Sequence, residues 1–352
     1  MYLAEKLEVG KNFAIKAFSK EAAYSEDKGK ECLIKEIDIM RALNHKCCMK
    51  LHEVFESENS LYIVVELLEG GQLYDKVKAK YKFKSHETRL IIHSILQGLK
   101  EMHSKKAMHR DLKPENLIFR ADDAWGECII ADFGLAEFSD AEEYLFVRCG
   151  TPGYVAPEVI NIKDMKTKYD PICDMFSLGL IFHILLLGVS AFPGRTYNEV
   201  LAQNRASNIT FEGEEYHKLD HNTLDLLSKM LKKNPLERIT AVDALNHPYF
   251  ANIDDEDEEN DKVIELSKKS PASVKTKDSY PSCDSPLLTT SNPARKEDKL
   301  LKKDSCVAFK MGKENVLTGK TETVGDTGST NNSVGKRFES VVMPKVSKFS
   351  KK

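Results

Sequence analysis

The stretch His109–Asn116 contains the residue types that a phosphate-transfer reaction requires. Its sequence is His-Arg-Asp-Leu-Lys-Pro-Glu-Asn, and Asp132-Phe-Gly134 follows 16 residues after its end. Transfer of a phosphoryl group from Mg-ATP needs a carboxylate to accept the hydroxyl proton, ligands for Mg²⁺, and cations that offset the phosphate charge. The residues that could supply these groups are Asp111, Asn116, Asp132 and Lys113.

A further cation and its partner lie earlier in the chain. Lys16 ends the tripeptide Ala-Ile-Lys, inside an alternating apolar run that predicts a strand. A lysine in this setting contacts nucleotide phosphates, and a glutamate on the following helix holds it by an ion pair. Glu36 is the natural candidate for that partner.

The elements that must position these residues change in kind along the chain. Up to Gly71 one helix is predicted, at 28–43, with Leu33, Ile37 and Met40 on one apolar face. The strands predicted in the same part lie at 12–18, 50–55 and 61–66. Beyond Gly71 the predicted elements are helices, at 87–105, 174–187, 224–231 and 240–245, with Thr240 as the N-cap of the last.

Taken in order, these motifs resemble those of the eukaryotic protein kinase family, over about residues 1–250. The ordered set is Ala-Ile-Lys, Glu, His-Arg-Asp, Asn, Asp-Phe-Gly and Ala-Pro-Glu, the last at 156–158. The resemblance implies an α+β, two-lobed protein-kinase fold, in which a small antiparallel β-sheet lobe with one helix precedes a larger, mainly helical lobe. We expect the small lobe at 1–68, the large lobe at 69–252 and a disordered tail at 253–352, where apolar residues become sparse.

The resemblance also implies a role for each site residue, with ATP and Mg²⁺ as cofactors. Asp111 would be the catalytic base, supported by Thr151, and Lys113 would be the cation near the transferred phosphoryl group. Asn116 and Asp132 would be the metal ligands. The nucleotide-binding residues would be Ala14, Lys16, Glu36, Val65, Glu66, Leu68, Ile118 and Asp132, with Val65 as gatekeeper and 66–68 as the hinge.

Other residues would support the site without touching the substrate. By the same resemblance, Asp174 would brace the backbone of the catalytic loop, and Glu158 and Arg238 would form a buried ion pair. His109 is predicted to be a packed core histidine rather than an acid, base or ligand.

The sequence after Asp111, Leu-Lys-Pro-Glu, is similar to that of the serine/threonine branch, which implies protein substrates with Ser or Thr hydroxyls. Residues 149–158 and 238–250 resemble the calcium/calmodulin-dependent group. A family glutamate that often binds a basic substrate residue is replaced by Gln72, whereas Glu115 remains as an acidic contact. We therefore expect a weakened preference for basic residues near the phosphoacceptor.

The chain departs from the family pattern at its start. Residues 1–4 match the end of the family's second strand, so the glycine-rich loop and the first strand have no counterpart in this sequence. We expect weaker nucleotide binding and an exposed edge of the sheet. An artefact of the gene model or an alternative start is the explanation we favour. The alternative is a catalytically weak or silent kinase-fold scaffold.

The segment before Ala-Pro-Glu also departs from the pattern. A position that is often a phosphorylated threonine in the family is Val147, so Arg110 lacks its usual phosphate partner. Three acids, Asp140, Glu142 and Glu143, could take the place of the phosphate electrostatically. We expect no dependence on an activating phosphorylation at this position.

Composition and charge exclude several classes of protein. Of 352 residues 41% are hydrophobic, enough for a large core, and the longest apolar stretch, 178–189, is shorter than the about 20 residues that span a bilayer. The first residues do not resemble a signal peptide.

The eight cysteines show no metal-binding spacing, which favours reduced thiols and a cytoplasmic location, with the nucleus as the alternative. Because the sequence has no basic patch interleaved with aromatic residues, we predict no nucleic-acid partner. Because its apolar stretches are too short to span a bilayer, we predict no membrane partner.

The tail is distinguished by its charge. Residues 254–261 hold seven acids, and 262–352 hold 19 bases and 10 acids. The basic stretch 299–311 could form an amphipathic calmodulin target. Because Asp298 and Asp304 interrupt it, a disordered linker is the interpretation we favour.

Overall fold

The computed structural model describes residues 1–6, 10–79, 83–122, 124–251, 309–312 and 347–348. They divide into two compact units. The first unit contains 1–30, 50–67 and the described residues beyond 292, and the second contains 31–49 and 68–251. Residues 31–49, which the sequence assigned to the small lobe, fall in the second unit because backbone hydrogen bonds tie Cys47 and Met49 to Ile130 (2.9 and 2.8 Å).

The first unit is built on an antiparallel sheet. Its strands along the chain are β1 (Tyr2–Lys6), β2 (Lys11–Ser19), β3 (Leu51–Glu56), β4 (Ser60–Glu66), β9 (Phe309–Gly312) and β10 (Ser347–Lys348). Among the described residues their order in the sheet is β10-β3-β4-β2-β1-β9. Because side chains alternate between the two faces of a strand, the core cluster of Ala4, Phe13, Ile15, Phe55 and Val64 comes from one face. Ile63 and Val65, on the other face of β4, are buried as well.

The outer edge of β1 is paired, which corrects the expectation of an exposed sheet edge. Strand β9 runs antiparallel to β1, with Leu3 opposite Gly312 and Lys6 opposite Phe309. An unpaired strand edge leaves backbone N–H and C=O groups without partners, and this pairing satisfies them. Apart from β9 and β10, the predicted tail lies outside the described residues.

Two helices follow β2. The short helix α1 (Lys20–Ser25) begins at Ser19, whose Oγ accepts a hydrogen bond from the N–H of Ala22 at 3.4 Å. Helix α2 (Gly29–Ala42) matches the helix predicted at 28–43 and buries Leu33, Ile37 and Met40 as expected. Residues 31–42 of α2 belong to the second unit.

The remaining helices form the second unit. They are α3 (Leu73–Ala79), α4 (Ser85–Ser104), α5 (Pro157–Ile160), α6 (Cys173–Leu187), α7 (Tyr197–Ala206), α8 (His221–Met230) and α9 (Ala241–Leu245). Three short 3₁₀ turns lie at Pro114–Asn116, Pro235–Glu237 and Pro248–Phe250. Thr240 caps α9, as predicted, by accepting from the N–H of Asp243. Helix α6 is buried over nearly its whole length, which agrees with its continuous apolar sequence.

Two small strand pairs complete the second unit. Strand β5 (Ala107–Met108) pairs with β8 (Glu137–Phe138), and β6 (Leu117–Phe119) pairs with β7 (Cys128–Ile130). These four strands flank the catalytic sequence motifs and hold both of their ends. No helix in the described part of the chain is long and apolar enough to cross a membrane.

Candidate active site

Asp111 is the centre of a hydrogen-bonded group formed by the residues predicted to be catalytic. Its Oδ1 accepts from the hydroxyl of Thr151 at 2.7 Å, and its Oδ2 lies 2.8 Å from Nζ of Lys113. Nζ of Lys113 also donates to the Thr151 hydroxyl at 2.9 Å. The side chain of Asp111 is 13% exposed, so a substrate hydroxyl could still reach it. Three predicted catalytic residues are thus brought together across 40 positions of sequence.

The backbone of the catalytic loop is fixed by Asp174 at the start of α6. Its two carboxylate oxygens accept from the N–H groups of His109 and Arg110, at 2.8 and 2.9 Å. Burial alone would raise the pKa of Asp174, but the hydrogen bond and charge of His103 and the backbone donors hold that pKa below its ordinary value. Asp174 therefore remains charged and braces the loop, as the resemblance implied.

His109 has the structural role that the sequence predicted. It is fully buried, its Nε2 lies 3.0 Å from the carbonyl oxygen of Ala131, and its ring packs on that of Phe133. His103 was not predicted to matter. Its Nε2 lies 3.2 Å from Oδ2 of Asp174. The two residues are 71 positions apart, so no local sequence pattern predicts this contact.

The two predicted metal ligands lie at the ends of a strand pair. Nδ2 of Asn116 donates to the carbonyl oxygen of Asp111 at 2.8 Å, which leaves the amide oxygen as the atom available to a cation. The N–H of Ala131 donates to the carbonyl oxygen of Asn116 at 2.9 Å. The next residue, Asp132, is exposed and has a left-handed backbone (φ 62°). Pairing of β6 with β7 therefore brings Asn116 and Asp132 to the same end of the hairpin.

The donor set suits Mg²⁺ shared with a phosphate ligand. Among the described residues, no group of three or more His, Cys, Asp or Glu side chains could enclose a metal ion alone. Mg²⁺ is usually bound through one or two carboxylates together with waters and substrate phosphates. One carboxylate and one amide oxygen, from Asp132 and Asn116, fit that requirement.

The loop that follows Thr151 is held by side chains that the sequence did not single out. Asn204 on α7 is fully buried; its Oδ1 accepts from the N–H of Gly153 at 2.9 Å and its Nδ2 donates to the carbonyl of Val155 at 2.8 Å. Ser177 on α6 donates to the carbonyl of Tyr154 at 2.8 Å. Three consecutive backbone positions are therefore fixed next to Thr151. Asn204 lies about 50 residues away from them, and nothing in its local sequence indicated the contact.

The predicted nucleotide-binding residues of the first unit lie on β2 and β4. Ala14 is opposite Val65, and Lys16 is opposite Ile63. Val65 is fully buried, as expected of a gatekeeper side chain. Glu66 accepts from the N–H of Lys50 with its carboxylate at 2.9 Å and donates its own N–H to the Lys50 carbonyl at 3.1 Å. Nucleotide recognition by the hinge would thus have to use other groups of 66–68.

The remaining predicted nucleotide-binding residues belong to the second unit. Glu36 is buried on α2, with 5% of its surface exposed, and Leu68 is partly buried in the loop after β4. Ile118 is partly buried on β6, where its backbone bridges to Gln72. The proposed ion pair of Lys16 with Glu36 stays a prediction, because the two residues belong to different units.

Glu158 and Arg238 form the predicted ion pair through two hydrogen bonds, in a bidentate arrangement. The distances from Nη1 and Nη2 of Arg238 to Oε1 and Oε2 of Glu158 are 2.6 and 2.9 Å. Arg238 also donates to the backbone carbonyls of Lys232, Ile172 and Lys233. Because Glu158 lies on α5, this pair ties α5 to the segment around Arg238 within the second unit.

Comparison with known proteins identifies the class to which this arrangement belongs. Residues 1–250 match the family described as the protein kinase domain. The chain belongs to the protein kinase family, and the fold class predicted from the sequence is confirmed.

The relatives also confirm the resemblance to the calcium/calmodulin-dependent group. The chain is 38% identical to a probable myosin light chain kinase of Dictyostelium discoideum, over 69% of this chain and 61% of that protein. It is 35% identical to myosin light chain kinase A of the same organism, over 71% of this chain and 83% of that protein. It is 33% identical to the calcium/calmodulin-dependent protein kinase type I of Schizosaccharomyces pombe, over 70% and 73%. It thus spans less than two thirds of the first of these relatives.

Proposed function

We propose that this chain is a protein serine/threonine kinase that transfers the γ-phosphoryl group of Mg-ATP to Ser or Thr hydroxyls of protein substrates. The observation that carries the proposal is the group formed by Asp111, Lys113 and Thr151, with contacts of 2.7 to 2.9 Å. A carboxylate, a cation and a hydroxyl in mutual contact are what phosphoryl transfer to an alcohol requires of a protein.

In this proposal each residue has a defined task. Asp111 accepts the proton of the substrate hydroxyl, and Thr151 holds the Asp111 carboxylate in place for that hydroxyl. Lys113 stabilises the negative charge that develops on the transferred group. Asn116 and Asp132 would hold Mg²⁺. When bound, Mg-ATP supplies the phosphoryl group and the divalent charge that offsets the phosphates.

The substrate class follows from the acidic groups beside the loop. Glu115 lies near the negative charges of Asp111 and Asp75 and near Lys113, and burial raises its pKa. A basic substrate residue would be attracted to this group of carboxylates, even though Gln72 carries no charge. We therefore propose a modest preference for basic residues near the phosphoacceptor.

Regulation and location remain proposals. Relatives named as calcium/calmodulin-dependent kinases make calmodulin a candidate partner, but the predicted target segment lies outside the described residues, apart from 309–311. The six described cysteines are free thiols, which supports the proposed cytoplasmic location. Addition of Ca²⁺ and calmodulin to the purified chain tests the partner: an unchanged rate would argue against calmodulin control.

Phosphate transfer by the purified chain tests the main proposal. Mg-ATP labelled at the γ-position is mixed with Ser and Thr peptides that carry or lack basic residues, and the parent is compared with Asp111→Asn. Asp170→Asn, which changes an exposed carboxylate, is the matched control. We expect transfer by the parent and the control only, and none in the presence of EDTA.

The other outcomes are equally decisive. Transfer by Asp111→Asn at the parental rate would overturn the assignment of the base. Silence of the parent with its fold intact would favour the alternative of a catalytically weak or silent scaffold, and nucleotide binding measured by calorimetry would then show whether Mg-ATP is held at all.

A further inference from the structure

Glu137 is a buried acid that has no part in the catalytic roles described above. It begins strand β8, three residues after the glycine of Asp-Phe-Gly, and its side chain is fully shielded from solvent. A buried carboxylate is unfavourable unless a charge partner and hydrogen bonds compensate it. Its partners therefore show what the residue holds together.

The Glu137 carboxylate joins helix α2 to the activation segment, which we define as residues 132–158. Its Oε1 lies 2.7 Å from Nζ of Lys35, the residue that directly precedes Glu36 on α2. Its Oε2 accepts from the N–H of Leu145 at 3.4 Å, and Oε1 accepts from the N–H of Phe138 at 3.1 Å. One buried anion thus connects a helical cation with two backbone positions of the segment.

Arg110, for which the sequence predicts no phosphate partner, donates to uncharged groups. Its guanidinium donates to the carbonyls of Leu135 at 2.7 Å and Phe146 at 2.6 Å, and to the hydroxyl of Tyr169 at 3.1 Å. Burial lowers the pKa of Arg110, but the Cys149 thiol, the Tyr169 hydroxyl and, as the last contribution, the Glu137 carboxylate raise it overall. Glu137 is thus an acidic residue of the chain itself whose charge acts on Arg110 without a direct contact.

The acids that the sequence suggested for this task do not include Glu137. Asp140, one of them, pairs on the surface with Lys106 at 3.0 Å, and both side chains are more than half exposed. Val147, at the family's phosphorylation position, is buried with 7% of its surface exposed. Neither residue provides an anion inside the segment.

We propose that Glu137 is a positioning residue that replaces the activating phosphate: its carboxylate, paired with Lys35, keeps the activation segment ordered on α2 without modification. The residue acts through Lys35 and the backbone of Leu145 and does not touch substrate. The proposal rests on the proposed kinase function for its effect on rate. Its effect on the order of the segment is independent of that function.

The test compares Glu137→Gln, Lys35→Gln and the double variant with the parent. Glu137→Gln removes the charge but keeps the shape of the side chain. Asp140→Asn is the matched control because it breaks an exposed ion pair in the same segment. Two quantities are measured for each protein: kcat and KM for peptide and ATP, and hydrogen exchange of the amides in 135–150.

We expect Glu137→Gln to lower kcat about tenfold, within the range of measured coupling between sites, and to accelerate amide exchange around Leu145. Lys35→Gln should produce the same change in amide exchange. The changes in kcat and in exchange in the double variant should not exceed the sum of those in the two single variants. Asp140→Asn should match the parent. Phosphatase treatment of the parent should leave kcat unchanged.

Several results would overturn the proposal. Lys35 is partly exposed, so Lys35→Gln should fold. If the Leu145 amide exchanges in this variant at the same rate as in the parent, the pair does not order the segment. Loss of activity of the parent after phosphatase treatment would show that a phosphate is needed. If the parent itself transfers no phosphate, the proposed kinase function fails, but the exchange measurement still decides the role of Glu137.

Discussion

The side-chain amide of Asn204 binds the backbone on both sides of Tyr154: it accepts from the N–H of Gly153 and donates to the carbonyl of Val155, at 2.9 and 2.8 Å. Gly153 has a φ of 95°, and a Cβ at this position would lie 3.3 Å from Val200 on the same helix. Helix α7 therefore determines the path of the loop that follows Thr151, next to the group proposed to receive the substrate hydroxyl.

Asn204→Ala tests this relationship. Because the substitution leaves two buried backbone groups unpaired, at a cost of about 1–3 kcal/mol each, we expect KM for a peptide to rise about tenfold, which corresponds to about 1.4 kcal/mol. KM for ATP should hardly change. Asn161→Ala is the control, since exposed Asn161 donates to Arg205 on the same helix. Equal changes in both Michaelis constants would indicate general destabilisation instead.

Thr151 provides a separate test of the catalytic group. Thr151→Val removes the hydroxyl that donates to Asp111 and accepts from Lys113. We expect kcat to fall about 10- to 100-fold, because a displacement of about 1 Å at a reacting group can cost that much. Thr151→Ser keeps the hydroxyl and should retain most of the rate. A Val variant as active as the Ser variant would contradict the supporting role of this hydroxyl.

His183 on α6 makes the stability of the fold depend on pH. Its Nδ1 lies 3.0 Å from the carbonyl of Val189, which accepts only, so Nδ1 carries the proton and Nε2 accepts from the hydroxyl of Tyr216 at 2.8 Å. Burial holds the pKa of His183 below its ordinary value of 6.5. The unfolded chain therefore binds a proton at a higher pH than the folded chain does.

The stabilising contribution of His183 decreases at acidic pH. The contribution of His183 to the free energy of unfolding is constant above about pH 6.5, the pKa of an unfolded histidine, and decreases as the pH falls from there towards the lowered folded pKa. Thermal unfolding of the parent and of His183→Gln at pH 7.5 and pH 5.5 measures it: the parent should lose more stability between the two. The exposed His217→Gln is the control. Equal losses in parent and His183→Gln would contradict the prediction.

The ion pair of Glu158 with Arg238 should respond asymmetrically to removal of either partner. Arg238→Met leaves the Glu158 carboxylate, only 16% exposed, without its charge partner, and removal of one member of a buried pair costs about 3–5 kcal/mol. Glu158→Gln should cost less, because Arg238 keeps hydrogen bonds to the carbonyls of Lys232 and Ile172. Urea unfolding measures both. A larger loss for Glu158→Gln would show that the carbonyls do not sustain the guanidinium.

The predictions from sequence succeeded where chemistry and local pattern occur together. The order of Lys16, Glu36, Asp111, Asn116 and Asp132 indicated the family. The 3.6-residue period predicted α2 and α4, and the continuous apolar run predicted α6, each within about two residues at each end. Helix α7 was missed because it has only one buried residue, Asn204, so it lacks an apolar stripe.

What the sequence by itself determined was therefore the class of the protein and the two kinds of element, together with the choice of residues proposed for the catalytic group. Such features depend on residue types at short spacing, which a linear pattern records. The braces of the site were decided only in the tertiary structure: Asn204 with Gly153, His103 with Asp174, and Glu137 with Lys35. A buried polar side chain needs a hydrogen-bond partner that the fold supplies. Because these partners are about 50 to 100 residues away along the chain, the local sequence does not predict them.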